Sequence, residues 1–178
     1  MEKMTVIRGL KSLALLFSLA GTLAFAQAKS GTTYVSSIDQ SLTIRKLVIL
    51  PFNDNVSSIY GKPVTERALE TQKRLHLWEA EQVEGSVDTG SPKAVQAFLK
   101  AQKAEALLIG SILKGPESIQ MVVSILSAMD GRVLYQARRI DIKGFNTEDI
   151  LKEFDSLHQE LINQVPFRGL VLSRRGQE

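Results

Sequence analysis

Apolar positions in the middle of the chain form two short continuous runs that end at turn residues. Leu47 to Leu50 is such a run, and it is closed by Pro51. Ala106 to Leu113 is a second one, closed by Lys114-Gly115-Pro116. Continuous apolar runs of this length are typical of strands buried on both faces. Both segments are therefore predicted to be central strands of one sheet.

Three other segments place apolar residues at helical spacing. The first covers residues 63–74, with Pro63 suited to the first helical position. The second begins with Ser91 as a capping residue before Pro92. The third covers residues 146–163. Its apolar stripe consists of Ile150, Leu151, Phe154, Leu157, Leu161 and Ile162.

Alternation of apolar and polar residues predicts three further strands, over residues 75–82, 119–127 and 132–140. The last two are joined by Asp130-Gly131, a strong hairpin signal because glycine adopts positive φ at little cost. The elements follow the order β-α-β-α-β-β-β-α. The sequence therefore predicts an α/β domain over residues 45–165, with a mixed sheet of about five strands and three helices.

The first 26 residues have the pattern of a secretory signal peptide. Three basic residues, Lys3, Arg8 and Lys11, precede an apolar run from Leu13 to Phe25 that is too short to span a bilayer. Small residues before the cut predict cleavage after Ala26 or, as a second choice, after Ala28. The mature protein is therefore predicted to work in the periplasm, with outer-membrane association only through partners.

Two segments flank the predicted domain. Residues 27–44 are polar and rich in Ser and Thr, which predicts a flexible N-terminal arm. Residues 166–178 contain an alternating run bracketed by glycine. This end is predicted to be a strand that joins the sheet, the first strand of a further β domain, or a solvated basic tail.

Charge and composition narrow the classes of partner. Removing the leader takes three of the 22 Lys and Arg residues and one of the 19 Asp and Glu residues, which leaves a formal charge of +1. A nearly neutral chain gives no electrostatic reason to expect a nucleic acid or an anionic membrane as partner. Without cysteine, the chain has no disulfide and no thiol for a lipid anchor, and its two histidines lack carboxylates at metal spacing.

Three motifs resemble catalytic patterns, but each has a simpler interpretation. Gly61-Lys62 lacks the glycine that a phosphate loop needs five positions earlier. Ser111 and Lys114 have the Ser-x-x-Lys spacing, but on a strand they point to opposite faces. His158 follows Asp155 and Ser156 on one predicted helix, where close neighbours do not face each other, so it is predicted to be a half-exposed helix residue. No enzymatic activity, metal or cofactor is predicted.

Two groups of residues are candidates for a partner-binding patch. His76 and Trp78 share one face of the predicted strand 75–82, where an aromatic residue usually belongs to the core or covers the sheet; if exposed, the pair would form a patch. Arg132, Arg138 and Arg139 concentrate basic charge on the last hairpin. They are typical of a solvated sheet edge, which could also bind an acidic partner strand by β-augmentation.

The chain resembles a family of exported envelope domains. The resemblance rests on an apolar strand ending in Pro51-Phe52-Asn53, the segment from Ala104 to Ser111, and the meander that turns at Asp130-Gly131. These features are similar to those of the N-terminal domain of TolB, the curli-secretion protein CsgG and the flagellar assembly protein FlgT, over residues 44–165. The resemblance implies a non-enzymatic part of an envelope machine. Unlike CsgG-like lipoproteins, this chain has no cysteine and no evident pore-forming hairpin.

Together these observations predict a periplasmic scaffold or assembly protein that acts by protein–protein contact in a flagellar, secretion or cell-wall system. The alternative is a soluble periplasmic domain that binds a small envelope ligand such as a glycan or peptidoglycan fragment. A hydrolase ranks third. Flat apolar patches or a free sheet edge would favour the scaffold, whereas a large concave pocket would favour ligand binding.

Overall fold

The computed structural model describes residues 29–30, 34–35 and 44–164 of the 178-residue chain. The strands are β1 (Lys29–Ser30), β2 (Tyr34–Val35), β3 (Lys46–Ile49), β4 (Asn53–Asp54), β5 (Glu79–Gln82), β6 (Ala106–Lys114), β7 (Ile119–Ser127) and β8 (Val133–Ile142). The helices are α1 (Gly61–Leu75), α2 (Pro92–Gln102) and α3 (Thr147–Gln164). The predicted signal peptide and the predicted segment 166–178 lie outside the described residues.

The strands of the described residues form one mixed sheet in the order β1-β8-β7-β6-β3-β5. β3 lies between β5 and β6 and is parallel to both, whereas β7 is antiparallel to β6 and to β8. The short β4 also pairs with β6, and β2 pairs with β8. The predicted α/β class and the predicted order of the main elements are confirmed.

β3 and β6 are central strands, because residues on both of their faces are buried. Leu47 and Ile49 of β3 belong to a larger hydrophobic cluster that α1 and α3 complete on one face of the sheet. Val48 belongs to a smaller cluster that α2 completes on the other face. A strand between two apolar layers needs apolar residues at every position, which is why the continuous run predicted it.

The start of α1 differs from its prediction. The helix begins at Gly61, two residues before Pro63. The carboxylate of Asp54 accepts hydrogen bonds from the backbone N–H groups of Tyr60 (2.8 Å) and Gly61 (3.3 Å). A carboxylate at a helix N-terminus satisfies donors that otherwise have no partner. Asp54 lies seven residues before the first residue of the helix. The residues next to Gly61 therefore carry no capping signal from which the true start of α1 could be predicted.

The other two helices begin as predicted. Ser91 precedes α2, and its hydroxyl accepts a hydrogen bond from the backbone N–H of Ala94 at 3.4 Å. Asn146 precedes α3, and its Oδ1 accepts from the backbone N–H of Asp149 at 2.8 Å. Both caps are local and have the residue types that favour a helix start.

The strand predicted over residues 75–82 is wrong in its first half. Leu75 is the last residue of α1, and His76 ends the helix in the left-handed conformation, with φ of 50°. β5 begins only at Glu79. Alternation over a few residues does not distinguish the end of a helix from the start of a strand, and here the helix continues. His76 and Trp78 therefore do not share a strand face.

The predicted hairpin between β7 and β8 is confirmed. The backbone N–H of Ser127 donates to the carbonyl of Arg132 at 2.9 Å, which closes the loop, and Gly131 has φ of +69°. A Cβ on Gly131 would lie 2.0 Å from the carbonyl oxygen of Pro92 at the start of α2. Glycine is thus required both for the turn and for the close approach of α2.

The N-terminal segment contributes to the sheet. Lys29–Ser30 pairs with Ile140 and Arg139, and Tyr34–Val35 pairs with Gln136 and Tyr135, all in antiparallel register on the outer side of β8. These four residues of the predicted flexible arm are thus strand residues. The remainder of the predicted arm up to residue 43 lies outside the described residues, so its limits stay a prediction.

Candidate protein-interaction surface

The structure separates the residues of the predicted binding patch. His76 is exposed at the end of α1, whereas Trp78 is half-buried and packs against the larger hydrophobic cluster. Both lie next to β5, at one margin of the sheet. The arginines belong to β8 and the preceding turn, near the opposite margin. The fold therefore does not bring the two groups together.

Arg139 corrects the prediction of a solvated basic edge. The residue is only 5% exposed, and its side chain faces α3, where it forms ion pairs with Glu153 (3.2 Å) and Glu160 (2.7 Å). It also donates a hydrogen bond to the hydroxyl of Ser156 at 2.9 Å. Neighbouring residues of a strand point to opposite faces, so Arg138 and Arg139 cannot form one basic patch.

The other two arginines are exposed. Arg138 donates from Nη2 to Oε1 of Gln120 at 2.8 Å, across the β7–β8 pair. Arg132 lies at the end of the hairpin turn. The outer side of β8 is occupied at two places by β1 and β2. An added partner strand at this edge would have to displace them, so the structure does not favour the predicted β-augmentation at β8.

Among the described residues, no helix lies over one half of a sheet face. The α2 side of the sheet is covered by the smaller cluster near Leu107 and Leu126, to which Ile109 and Val133 also pack. Beyond them lie further side chains that belong to neither cluster, and we name six of these the bare face. They are Ser111, Leu113, Val122, Gln136, Arg138 and Ile140.

Register places the members of the bare face side by side. Ser111 of β6, Val122 of β7 and Arg138 of β8 are direct cross-strand partners. Arg138 is exposed and the other five are half-buried. The surface thus combines apolar groups with hydroxyl and amide groups and one guanidinium. The opposite face of the same strands is fully buried at Met121 and Val123.

Sequence reasoning missed this surface. The polar positions of β7 were visible as an alternating pattern, and such a pattern indicates a face that is not fully buried. It does not show how far a helix will cover that face. The position of α2 decides this, because its buried residues Val95 and Leu99 belong to the smaller cluster.

The residues of the proposed triad have three separate partners. Asp155 forms an ion pair with Arg67 at 3.2 Å, and Ser156 accepts from Arg139. His158 is buried, which corrects the prediction of a half-exposed residue. Its Nε2 lies 2.7 Å from Nε2 of Gln72 on α1, and burial lowers its pKa to about 4. The three side chains therefore form no catalytic relay.

A small cavity lies at the carboxyl ends of β3 and β5. Its volume is about 260 Å³, and Phe52, Lys62, Glu66, Gln82 and Glu84 are among the residues that line it. Ligand pockets for small molecules usually have about 300 to 1,000 Å³. The cavity is thus smaller than a typical binding pocket.

The N-terminus of α1, next to this cavity, is already capped by the carboxylate of Asp54. Burial opposes ionisation of Asp54, but hydrogen bonds from four backbone N–H groups outweigh it and lower its pKa. A phosphate would need these same donors. The structure therefore gives no support to a phosphate loop at Gly61-Lys62.

The described residues offer neither a metal site nor a membrane-spanning helix. No group of three or more His, Cys, Asp and Glu side chains is placed to hold a metal ion in residues 44–164. No helix in the described part of the chain is long and apolar enough to cross a membrane.

No protein-family model matches the sequence, and no curated protein matches it. The PelC dodecamer of Paraburkholderia phytofirmans matches with a TM-score of 0.50 at 11% identity, over 79% of this chain and 97% of that chain. TolB of Acinetobacter baumannii matches with a TM-score of 0.47 at 13% identity, over 70% of this chain and 28% of that chain. The LpoB C-terminal domain of Salmonella enterica matches with a TM-score of 0.41 at 10% identity, over 57% of this chain and 85% of that chain.

At these identities the similarity concerns the fold, and function has to be argued from the site. The PelC match agrees with the α/β class that the strands and helices define. TolB, a member of the group that the sequence resembles, is among the matching structures. The likeness to CsgG and FlgT stays a prediction.

Proposed function

We propose that this protein is an exported, non-enzymatic scaffold or assembly protein of a bacterial envelope machine, of the flagellar, secretion or cell-wall kind, and that the bare face is its contact surface. The observation that carries the proposal is the half of the sheet face over which no helix of residues 44–164 lies. Apolar side chains that stay half-exposed on a rigid sheet provide a ready surface for a partner protein.

The composition of the bare face supports a protein partner. Leu113, Val122 and Ile140 supply apolar area, and Arg138 supplies a guanidinium, a group enriched at protein interfaces. The six residues include no carboxylate, so few charges need to lose water when the surface is covered. Because β6, β7 and β8 are paired along most of their length, the surface needs little ordering before it binds.

The sequence and the comparisons agree with this proposal in outline. A signal peptide ending at Ala26 would export the chain to the periplasm. The fold also occurs in PelC, which forms a dodecamer, and therefore is compatible with assembly by protein contact. The partner is proposed to be another envelope protein rather than a nucleic acid or a lipid surface.

The alternative function, binding of a glycan or peptidoglycan fragment, would use the cavity beside Phe52 and Glu84. Its volume of about 260 Å³ and its mixed charges, from Lys62 and Glu66, fit only a small polar group. This function is therefore the second candidate.

Site-specific photocrosslinking in the native host tests the proposal. A photoreactive residue replaces Val122 on the bare face in one variant and Glu70 on the solvent side of α1 in a matched control. We expect stoichiometric crosslinks to one envelope complex from position 122 and none from position 70. Equal labelling from both positions, or recovery of the protein alone, would contradict the proposal.

A second variant connects the crosslinks to the chemistry of the surface. Arg138→Glu reverses the only charge of the bare face, and we expect it to reduce crosslinking from position 122 by about tenfold. The variant should unfold at the same urea concentration as the wild type, because Arg138 is exposed. Crosslinking that is unchanged by this reversal would show that the bare face does not bind the partner.

A further inference from the structure

β5 is an unpaired edge of the sheet within the described residues. It pairs with β3 in parallel register and has no second neighbouring strand in that part of the chain. The backbone N–H of Val83 donates to the carbonyl of Ile49 in β3 at 3.0 Å. Since alternate residues of a strand turn their backbone groups to opposite sides, those of Ala80 and Gln82 point away from β3. Each of these two residues therefore offers a donor and an acceptor to an added strand.

The edge is acidic on the α2 side of the sheet. Glu79 and Glu81 are both exposed there. Lys46 of β3 forms an ion pair with Glu81 at 2.6 Å, which balances one of the charges. Residues 79–88 nevertheless include two further acidic residues and no Lys or Arg. This side of the edge therefore keeps an excess of negative charge.

The edge is apolar on the opposite side of the sheet. Trp78 and Ala80 are half-buried there and pack against the larger hydrophobic cluster. Successive side chains of an added strand would point alternately to the two sides. A strand that fits β5 would therefore carry Lys or Arg at one set of alternate positions, beside the carboxylates, and apolar residues at the other set.

The charge of the edge argues against a second copy of this chain as the occupant. If the β5 strands of two copies paired, Glu79 and Glu81 of one copy would lie beside the same carboxylates of the other. Like charges opposite each other on neighbouring strands are destabilising, and proteins use charged edges to prevent self-association. A basic strand meets no such repulsion. Charge complementarity therefore favours a basic segment of a different protein.

We propose that β5 binds an extended segment of a partner protein as an added strand, with Lys or Arg beside Glu79 and Glu81 and apolar residues beside Trp78 and Ala80. Backbone hydrogen bonds provide affinity in this mode of recognition, and the alternate side chains provide specificity. The site lies at the sheet margin opposite β8, and β3 separates it from the strands of the bare face. It is a second contact surface, so one molecule could join two partners.

Residue-resolved amide hydrogen exchange on the full chain tests the proposal, with a short peptide of alternating Lys and Val as the probe. The amides of Ala80 and Gln82 should exchange quickly in the protein alone and at least about tenfold more slowly with saturating peptide. Leu108 in β6 is the internal control, because it is fully buried and should not respond. Unchanged exchange with peptide would overturn the proposal. So would slow exchange in the protein alone, because the edge would then already be occupied.

Two control peptides distinguish strand addition from general charge attraction. A fully N-methylated Lys–Val peptide keeps its charge but has no backbone N–H to donate. A peptide of alternating Glu and Val can form the strand but has the wrong charge. We expect neither to protect Ala80 and Gln82. Protection by the first would show that backbone pairing is not involved, and protection by the second would show that charge does not select the partner; either result would overturn the proposal.

A matched pair of variants tests the role of the carboxylates. E79Q/E81Q should weaken binding of the Lys–Val peptide about fivefold, because it removes the charges beside the added strand. E117Q/E148Q removes the same charge from exposed residues of other elements and should leave binding nearly unchanged. Trp78, the only tryptophan of the chain, reports binding, since its fluorescence should shift to shorter wavelength when the peptide covers it.

Equal weakening by the two variants would mean that the peptide responds to the overall charge of the protein, and it would overturn the proposal. None of these measurements depends on crosslinking from position 122. The β5 site and the bare face are therefore tested separately, and the failure of one leaves the other standing.

Discussion

The two faces of the sheet differ in how completely they are covered. The face toward α1 and α3 is closed by two helices, and its residues, such as Phe154 and Met121, have no exposure. In the part of the chain that the structure describes, the other face has α2 as its one helix, and Leu113, Val122 and Ile140 are half-buried. The same strands contribute to both faces. In the proposed division of roles, the closed part of the sheet provides stability while the bare face makes the contact with a partner.

The largest expected difference between the faces concerns a buried aromatic residue. Phe154→Ala should lower the free energy of unfolding by about 3 to 5 kcal/mol, because it leaves a cavity in the closed face. The ring is fully buried and meets Phe52 edge to face, with centroids 5.5 Å apart. Urea denaturation measures the loss. Val122→Ala is the matched change on the bare face and should cost about 1 kcal/mol or less. Equal losses would contradict the contrast.

The closed face should also make the protein sensitive to acid. The pKa of the buried His158 is lowered from 6.5 to about 4, so the unfolded chain takes up a proton at a higher pH than the folded one. This contribution to stability is complete above about pH 6.5 and is lost as the pH falls toward 4, by about 3 kcal/mol. Urea midpoints at pH 7 and pH 4.5 measure it.

His158→Gln is the control for this titration. The variant cannot take up the proton, so its stability should fall less between the two pH values than that of the wild type. The difference is specific to His158 because its ring contacts the neutral side chains of Gln72 and Phe154. Identical pH dependence in the variant and the wild type would show that the closed face does not hold the histidine in its neutral form.

Adjacent arginines of β8 provide a smaller but closely matched comparison. Arg139→Met should lower the free energy of unfolding by about 2 kcal/mol, because it removes the buried guanidinium that pairs with Glu153 and Glu160. The loss is limited because both carboxylates are partly exposed and water can solvate them. Arg138→Met should stay within about 0.5 kcal/mol of the wild type. Thermal unfolding of the two variants distinguishes them. If Arg138→Met lost as much stability as Arg139→Met, Arg138 would have to make stabilising contacts within the protein, and the bare face would not be exposed.

The smallest expected effect is a polar change on the bare face. Val122→Thr keeps the shape and β-branching of the side chain and should change stability by less than about 0.5 kcal/mol. It should nevertheless weaken the proposed partner contact, since it removes apolar area from the centre of the surface. Crosslinking from the neighbouring position 111 measures this. Unchanged crosslinking would place the contact elsewhere.

Sequence reasoning predicted the elements well where the signal was local. The strand at Leu47 to Leu50, the hairpin at Asp130-Gly131 and the caps of α2 and α3 all depend on residues within a few positions of one another, and the structure confirms them. It was wrong where a distant group decided the outcome. Asp54 starts α1 before Pro63, and the length of α1 prevents His76 from joining a strand.

The candidate site was the least predictable part. Arg138 and Arg139 look alike in sequence, but the contacts of α3 bury one and the end of α2 leaves the other exposed. Trp78 was expected either to belong to the core or to form an exposed patch, and the structure packs it against the larger hydrophobic cluster. Burial of a side chain depends on which helix reaches it, and this information does not lie in the neighbouring residues.

The sequence by itself determined the α/β class, the order of the main elements and the positions of most turns, because strand and helix periodicity and capping are short-range properties of the chain. The tertiary structure decided where the helices lie on the sheet. That placement buried His158 and Arg139 and left the bare face without a helix among the described residues, while pairing with β8 added β1 and β2 at one sheet margin. These outcomes depend on packing between residues far apart in sequence, which no local pattern records.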